Sequence, residues 1–237
     1  MHSHDALPLL EAAEQAGNLS AAASANIRPW LTEAKYAEFA PEVADHLENK
    51  KFDELNKAFW KVLEFGTGGR RGEMYPIGSA VINRRTMGES AAGLAAYVKS
   101  KSAADAALAC AIAYDTRHQS DEFARLCAEI MVAAGFTVYF LEGFHSTPCL
   151  SFAVRYNRCA CGIMITASHN PPSDNGFKAY WDNGGQLVPP YDEGVIGEVM
   201  NVDSIARADF DRSVTEGTIV LCQDEVDSAY IDALARQ

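Results

Sequence analysis

Between Leu108 and Thr166 the chain alternates apolar runs with capped helical stretches, and this pattern constrains the fold more than anything else in it. Leu108 to Tyr114 reads as an apolar strand. Ser120 is predicted to cap a helix with Asp121 and Glu122 in its first turn, and Gly135 to stop it before a strand from Phe136 to Leu141. Thr147 and Pro148 supply the cap and first position of another helix, and Cys161 to Thr166 returns as a buried strand. Strand, helix, strand in this order is a right-handed crossover, so the sheet is expected to be largely parallel with helices on both faces. Ligands of such sheets sit beyond the carboxyl ends of the strands, where two loops fall, Asp115 to Gln119 and Ala167 to Gly176.

The rest of the chain fills in an α/β reading: a three-layer α/β/α domain with a mixed, largely parallel sheet, preceded by an N-terminal helical extension. Three segments are expected: the extension over 1–64, a domain over 65–215, and over 216–237 the truncated start of a second domain. In the extension, Leu47, Phe52, Leu55, Phe59, Trp60 and Leu63 lie near helical spacing. Thr86-Met87-Gly88-Glu89 fits a capping box opening a helix that reaches about Lys101. Phe177 to Trp181 and Gln186 to Val188 read as strands joined by the hairpin turn Asp182-Asn183-Gly184-Gly185. Tyr191 to Met200 is an expected helix, Thr218 to Leu221 a weaker strand, and a last helix starts at Asp224.

Composition excludes several classes of function. A hydrophobic share of 48% suits a globular core, and a formal charge of −12 repels nucleic acid and anionic membrane surfaces. No nucleic-acid or membrane partner is therefore expected, and an anionic ligand must be held by local positive charge. The apolar runs fall short of the roughly 20 residues needed to cross a bilayer, which with no signal-peptide pattern points to the cytoplasm. The six cysteines sit mostly in apolar stretches and read as reduced, structural residues. Asp209-Phe210-Asp211-Arg212 superficially resembles a metal-binding run, but is not expected to bind one. The residues do not indicate an oligomeric state.

Chemistry concentrates in two glycine-bearing loops. Phe65-Gly66-Thr67-Gly68-Gly69-Arg70-Arg71-Gly72 holds four glycines within eight residues and suits close backbone approach. Thr166-Ala167-Ser168-His169-Asn170-Pro171 leaves a buried strand and enters a turn, which exposes Ser168 on a constrained bend. A serine hydroxyl that carries a phosphoryl group needs a proton acceptor and cationic partners for the phosphoryl oxygens. Arg70, Arg71, Arg117, His118, His169 and Lys178 are the candidates, with Arg70 read as a surface charge and Asp115 as a brace for Arg117. A serine hydrolase is the first rival, because Ser168 and His169 are adjacent. Neighbours in sequence seldom form a triad, however, and there is no Gly-x-Ser-x-Gly elbow.

The serine loop, together with Asn175-Gly176-Phe177-Lys178, resembles the signature of the α-D-phosphohexomutase family. The glycine loop is similar to that family's entry loop, and Tyr114-Asp115-Thr116-Arg117 to its Asp-Thr-Arg loop. The stretches Asn83-Arg84, Thr86 to Tyr97 and Leu187-Val188-Pro189-Pro190 look most like the phosphoglucomutase/phosphopentomutase branch. The resemblance implies a mutase that moves a phosphoryl group between the 1- and 6-positions of a hexose phosphate through a phosphoserine and a bisphosphate. By position it implies Ser168 as phosphoserine, Lys178 as general base, Arg71 as its assistant and His169 as a further contact. Arg117, Thr67 and Asn170 are the implied substrate or phosphate contacts. A small-molecule sugar phosphate is the implied partner, Mg²⁺ the cofactor, bound by the phosphoryl oxygen on Ser168, and glucose 1,6-bisphosphate the activator. The family's aspartate metal loop, sugar loop and distal phosphate loop have no counterpart here. The chain is therefore expected to be inactive, or nearly so, by itself, and a non-catalytic phosphosugar-binding or interaction module is the alternative reading.

Overall fold

The computed structural model describes residues 6–66 and 68–236. They form two compact units, one of Met1–Glu64 with Gly72–Thr86 and one of Phe65–Arg71 with Met87–Gln237.

The first unit contains four helices, α1 (Leu7–Gln15), α2 (Ala21–Thr32), α3 (Ala40–Glu48) and α4 (Phe52–Phe59). The apolar periodicity seen in the sequence runs across a break between α3 and α4, where Lys50 takes a left-handed backbone (φ 54°). Leu47, Leu55 and Phe59 are buried, whereas Trp60, just past α4, is exposed. Trp30 is central to the apolar cluster, stacked on Tyr36 at 4.7 Å and edge-on to Phe59 at 5.3 Å. His46 is a satisfied core residue, its ring nitrogens 2.8 Å from the Glu42 carbonyl and 2.7 Å from the Tyr75 hydroxyl. The capping box lies three residues earlier than expected. The Thr86 amide donates to Asn83 Oδ1 (2.9 Å) and the Asn83 amide to Thr86 Oγ1 (3.0 Å), so Asn83 is the cap.

The second unit is organised by a six-stranded sheet of order β1-β5-β4-β2-β3-β6. Its strands are β1 (Gly69–Glu73), β2 (Ala109–Tyr114), β3 (Thr137–Phe144), β4 (Cys161–Ile165), β5 (Asp174–Trp181) and β6 (Ile219–Leu221). β2 is parallel to β3 and β4, β3 is parallel to β6, and β5 runs antiparallel to β4, with Cys161 opposite Trp181 and Ile165 opposite Phe177. The helices are α5 (Arg84–Lys101), α6 (Ser120–Ala133), α7 (Thr147–Tyr156), α8 (Tyr191–Met200), α9 (Phe210–Thr215) and α10 (Gln223–Ala235). α6 packs on β2, β3 and β4 and on α9, while α7 and α10 pack together on the sheet. Ala111, Ala113 and Met164 join Leu150, Val154, Cys222 and Val226 in one apolar layer, while the alternate residues Ile112 and Ile163 are buried facing the other way. Helices thus cover both faces, as the apolar runs require.

Three local readings differ from the sequence expectation. Ser146 caps α7, its hydroxyl accepting from the Cys149 amide at 3.4 Å, with Thr147 inside the helix. The turn at Asp182–Gly185 forms, but its return arm makes only a bridge between Gln186 and Tyr180 rather than a strand. Residues 219–235 supply β6 and α10 to this sheet unit, with β6 beside β3. All six cysteines are buried free thiols, and burial pushes the Cys149 and Cys222 thiols up to about 12. Asp209, from the aspartate-rich run, caps α9 by accepting from the Arg212 amide at 2.8 Å. Among the described residues no helix is long and apolar enough to cross a membrane.

Candidate active site

The serine loop joins antiparallel neighbours. Thr166 closes the end of β4 through its amide, which donates to the Gly176 carbonyl at 2.9 Å, and residues 167–173 make the turn between the strands. Ser168 sits in that turn with φ 56°, a left-handed conformation that costs a non-glycine residue about 1 kcal/mol. Hydrogen bonds hold it there. The Ser168 amide donates to Thr166 Oγ1 at 2.8 Å, and the Asn170 amide to the Ala167 carbonyl at 3.1 Å. The residue is exposed, and its hydroxyl oxygen lies 3.3 Å from His169 Nδ1.

Arg117, the implied phosphate contact, holds the serine loop by its backbone. Its Nη1 donates to the carbonyls of Pro171 (2.7 Å) and Asp174 (2.9 Å), and its Nη2 to those of Ser168 (2.8 Å) and Asn170 (2.6 Å). Four terminal N–H groups meet four backbone acceptors, and the fifth donor, the buried Nε–H, lies 3.7 Å from Asp115 Oδ2 without a hydrogen bond. Asp115 is the brace it was expected to be. Its Oδ1 accepts from the Arg117 amide (3.1 Å) and the Ser120 hydroxyl (3.0 Å), and its Oδ2 from the Thr166 hydroxyl (2.5 Å). Asn170, also expected to touch substrate, turns its amide to Asp174 Oδ2 at 2.9 Å, although it still borders the open depression beside Ser168. That depression, about 270 Å³, is also lined by Asp115, Thr116, Arg117, His118 and Pro172.

The structure places Lys178 and Arg71 within electrostatic reach of each other. Lys178 lies on β5 opposite Met164, two residues beyond the Gly176 that pairs with Thr166. Burial lowers the pKa of its ammonium below the ordinary 10.5, the Arg71 charge lowers it further, and the Asp115 carboxylate opposes both. Arg71 is exposed. Arg70, read from the sequence as a surface charge, is buried, with Nη1 3.1 Å from Glu89 Oε2. The two arginines alternate along β1, so one faces inward and the other outward. Thr67 lies outside the described residues.

Asn175 and Ser120 were not anticipated as site residues. Asn175 is fully buried and donates to the His118 carbonyl and to Ser120 Oγ, both at 3.0 Å, tying the loop after β2 to the loop after β4. Ser120 is the first residue of α6 rather than its cap. Its buried hydroxyl joins Asn175 to Asp115, a tertiary link that a local capping signal does not reveal. Among the described residues no group of three or more His, Cys, Asp or Glu side chains could hold a metal ion. The Ser168 hydroxyl is exposed, whereas the carboxylate of Asp115 is already engaged by three donors.

Residues 62–206 match the family described as phosphoglucomutase/phosphomannomutase, alpha/beta/alpha domain I. A phosphoribomutase of Saccharomyces cerevisiae is 31% identical over 216 residues, 87% of this chain and 34% of that protein. A phosphoglucomutase of Staphylococcus epidermidis is 41% identical over 145 residues, 61% of this chain and 26% of that protein. A phosphopentomutase of Homo sapiens is 38% identical over 149 residues, 60% of this chain and 24% of that protein. The chain thus spans between about a quarter and a third of the length of these relatives. A crystal structure from Thermus thermophilus described as a phosphomannomutase superposes with a TM-score of 0.61 at 26% identity, covering 74% of this chain and 36% of that one.

Proposed function

The chain belongs to the phosphoglucomutase/phosphomannomutase family, and from that premise we propose that it carries the phosphoryl-bearing serine of a mutase acting on hexose phosphates. The observation that carries this reading is the exposed Ser168 hydroxyl, held in a left-handed bend 3.3 Å from His169, on a loop that leads into the strand carrying Lys178, whose ammonium feels the charge of Arg71. In the loading direction Ser168 Oγ attacks a phosphorus of glucose 1,6-bisphosphate. The Oγ–P bond forms as the bond from phosphorus to the sugar oxygen breaks, the hydroxyl proton passes to neutral Lys178 Nζ, and the departing sugar oxygen takes a proton from solvent. The reverse step returns the group to the other end of a sugar monophosphate, so that phosphate moves between the 1- and 6-positions.

Arg71 serves this step by keeping Lys178 able to accept a proton, and His169 by contacting the serine oxygen. Mg²⁺ would be held through the phosphoryl oxygen on Ser168, with its remaining ligands from outside this chain, and would neutralise charge on the transferring group. We read turnover as needing those further parts of the enzyme, so this chain alone loads Ser168 but does not complete the cycle.

The test is intact mass and phosphosite mapping on protein purified from its native host, then after incubation with glucose 1,6-bisphosphate and Mg²⁺. One phosphate on Ser168, absent from Ser168→Ala, is expected. An unphosphorylated Ser168 under both conditions would overturn the reading, and labelling of Ser168 by a fluorophosphonate would favour a hydrolase instead.

A further inference from the structure

We infer that Arg117 is a positioning residue for Ser168: its guanidinium acts on the serine hydroxyl through the backbone of the loop and without contacting the phosphoryl group. This deepens the mutase reading and rests on it for its functional meaning, although the geometric part stands by itself.

The argument begins with the strain in the loop. Ser168 occupies a backbone conformation that a non-glycine residue adopts only when its surroundings enforce it. The loop's carbonyls at Ser168, Asn170, Pro171 and Asp174 converge on one point, and four carbonyl oxygens converging on an empty centre would repel one another. Arg117 fills that centre with a planar cation and bonds of 2.8, 2.6, 2.7 and 2.9 Å to the four carbonyls. Lysine carries three donors in a compact head and cannot span four acceptors in one plane.

Arg117 is itself fixed from the other side. Its amide is held by Asp115, whose second oxygen accepts from Thr166, and the Thr166 hydroxyl in turn accepts from the Ser168 amide. Ser168 is therefore gripped at its amide through Thr166 and at its carbonyl by Arg117, and both grips trace back to Asp115. The serine hydroxyl, 3.3 Å from His169 Nδ1, is the exposed polar end of a residue whose backbone is held on both sides.

The experiment uses this 237-residue chain as wild type, Arg117→Lys and Arg117→Ala. Amide hydrogen exchange over residues 167–173 is read without any phosphoryl donor, and Ser168 loading is followed against glucose 1,6-bisphosphate concentration. In Arg117→Lys the loop amides should exchange at least about tenfold faster while the strands keep their protection. The maximal loading rate should fall by a similar factor, with the half-saturating donor concentration unchanged. Dilute guanidinium, but not methylammonium, should restore both in Arg117→Ala; if that variant does not fold, Arg117→Lys decides. Loop protection retained in Arg117→Lys, or a raised half-saturating concentration with the loop still protected, would overturn the inference. A wild-type chain that never loads phosphate would remove the mutase reading, while the exchange result would still decide the positioning.

Discussion

The Thr166 hydroxyl donates to Asp115 Oδ2 at 2.5 Å, and so links the carboxyl ends of β4 and β2 directly beneath the serine loop. The same Thr166 oxygen accepts from the Ser168 amide. Thr166→Val keeps the shape at this buried position but removes both bonds, leaving a carboxylate oxygen of the partly buried Asp115 and the Ser168 amide short of a partner. Stability should fall by about 1–3 kcal/mol. Urea unfolding measures the loss, and faster exchange at the Ser168 amide should accompany it.

The pH dependence of Ser168 loading should report Lys178. Burial first and Arg71 second disfavour its ammonium, so the neutral amine becomes available below pH 10.5. Loading should rise along a limb whose midpoint lies under that value. Arg71→Gln should move the midpoint up, and Lys178→Met should abolish the limb. Stability carries the same sign. The folded chain releases this proton at a lower pH than the unfolded one, so stability rises from the folded pKa towards 10.5 and is lost again as pH falls through the folded pKa. Lys178→Met should flatten that segment of a stability profile measured by denaturant titration.

The parallel strands and the serine bend were legible because both are local: apolar runs of strand length, and a serine in a tight turn after one of them. What the sequence concealed was mostly a matter of partners far along the chain. Arg70 and Arg71 are indistinguishable as letters, yet alternation along β1 buries one against Glu89 and exposes the other. Ser120 has the look of a helix cap, but its hydroxyl is taken by Asp115 and Asn175, 5 and 55 residues away. Arg117 was visible as a cation near the site. That its donors face backbone carbonyls 51 to 57 residues ahead follows only once the sheet has brought the two loops together.

Replacing Ser168 should separate backbone strain from chemistry. Ser168→Gly and Ser168→Ala both lack the hydroxyl and should take up no phosphate. Glycine relieves the left-handed φ of 56°, whereas alanine retains the penalty. Ser168→Gly should therefore be more stable than Ser168→Ala by about 1 kcal/mol, less the extra chain entropy that glycine gains when unfolded. Paired urea titrations check the difference. Equal stabilities would mean that the loop relaxes once the serine is gone.

Two glycines of the Phe65–Gly72 loop should respond to alanine in opposite ways. A Cβ on Gly69 would stand within bonding distance of the Phe177 carbonyl, and backbone on both sides leaves neither partner free to move. β1 lies beside β5 only because that position has no side chain. Gly69→Ala should therefore cost at least about 2 kcal/mol and weaken the β1 edge, carrying Arg71 away from Lys178. The midpoint of the loading limb should then shift upward, as in Arg71→Gln. A Cβ on Gly66, three residues earlier, meets nothing nearer than the Gly69 carbonyl at 3.8 Å, an ordinary contact, at an exposed position without a left-handed φ. Gly66→Ala should leave stability within about 0.5 kcal/mol of wild type and the loading limb unmoved. If both variants behaved alike, the close approach of β1 to β5 would not be what places the arginine.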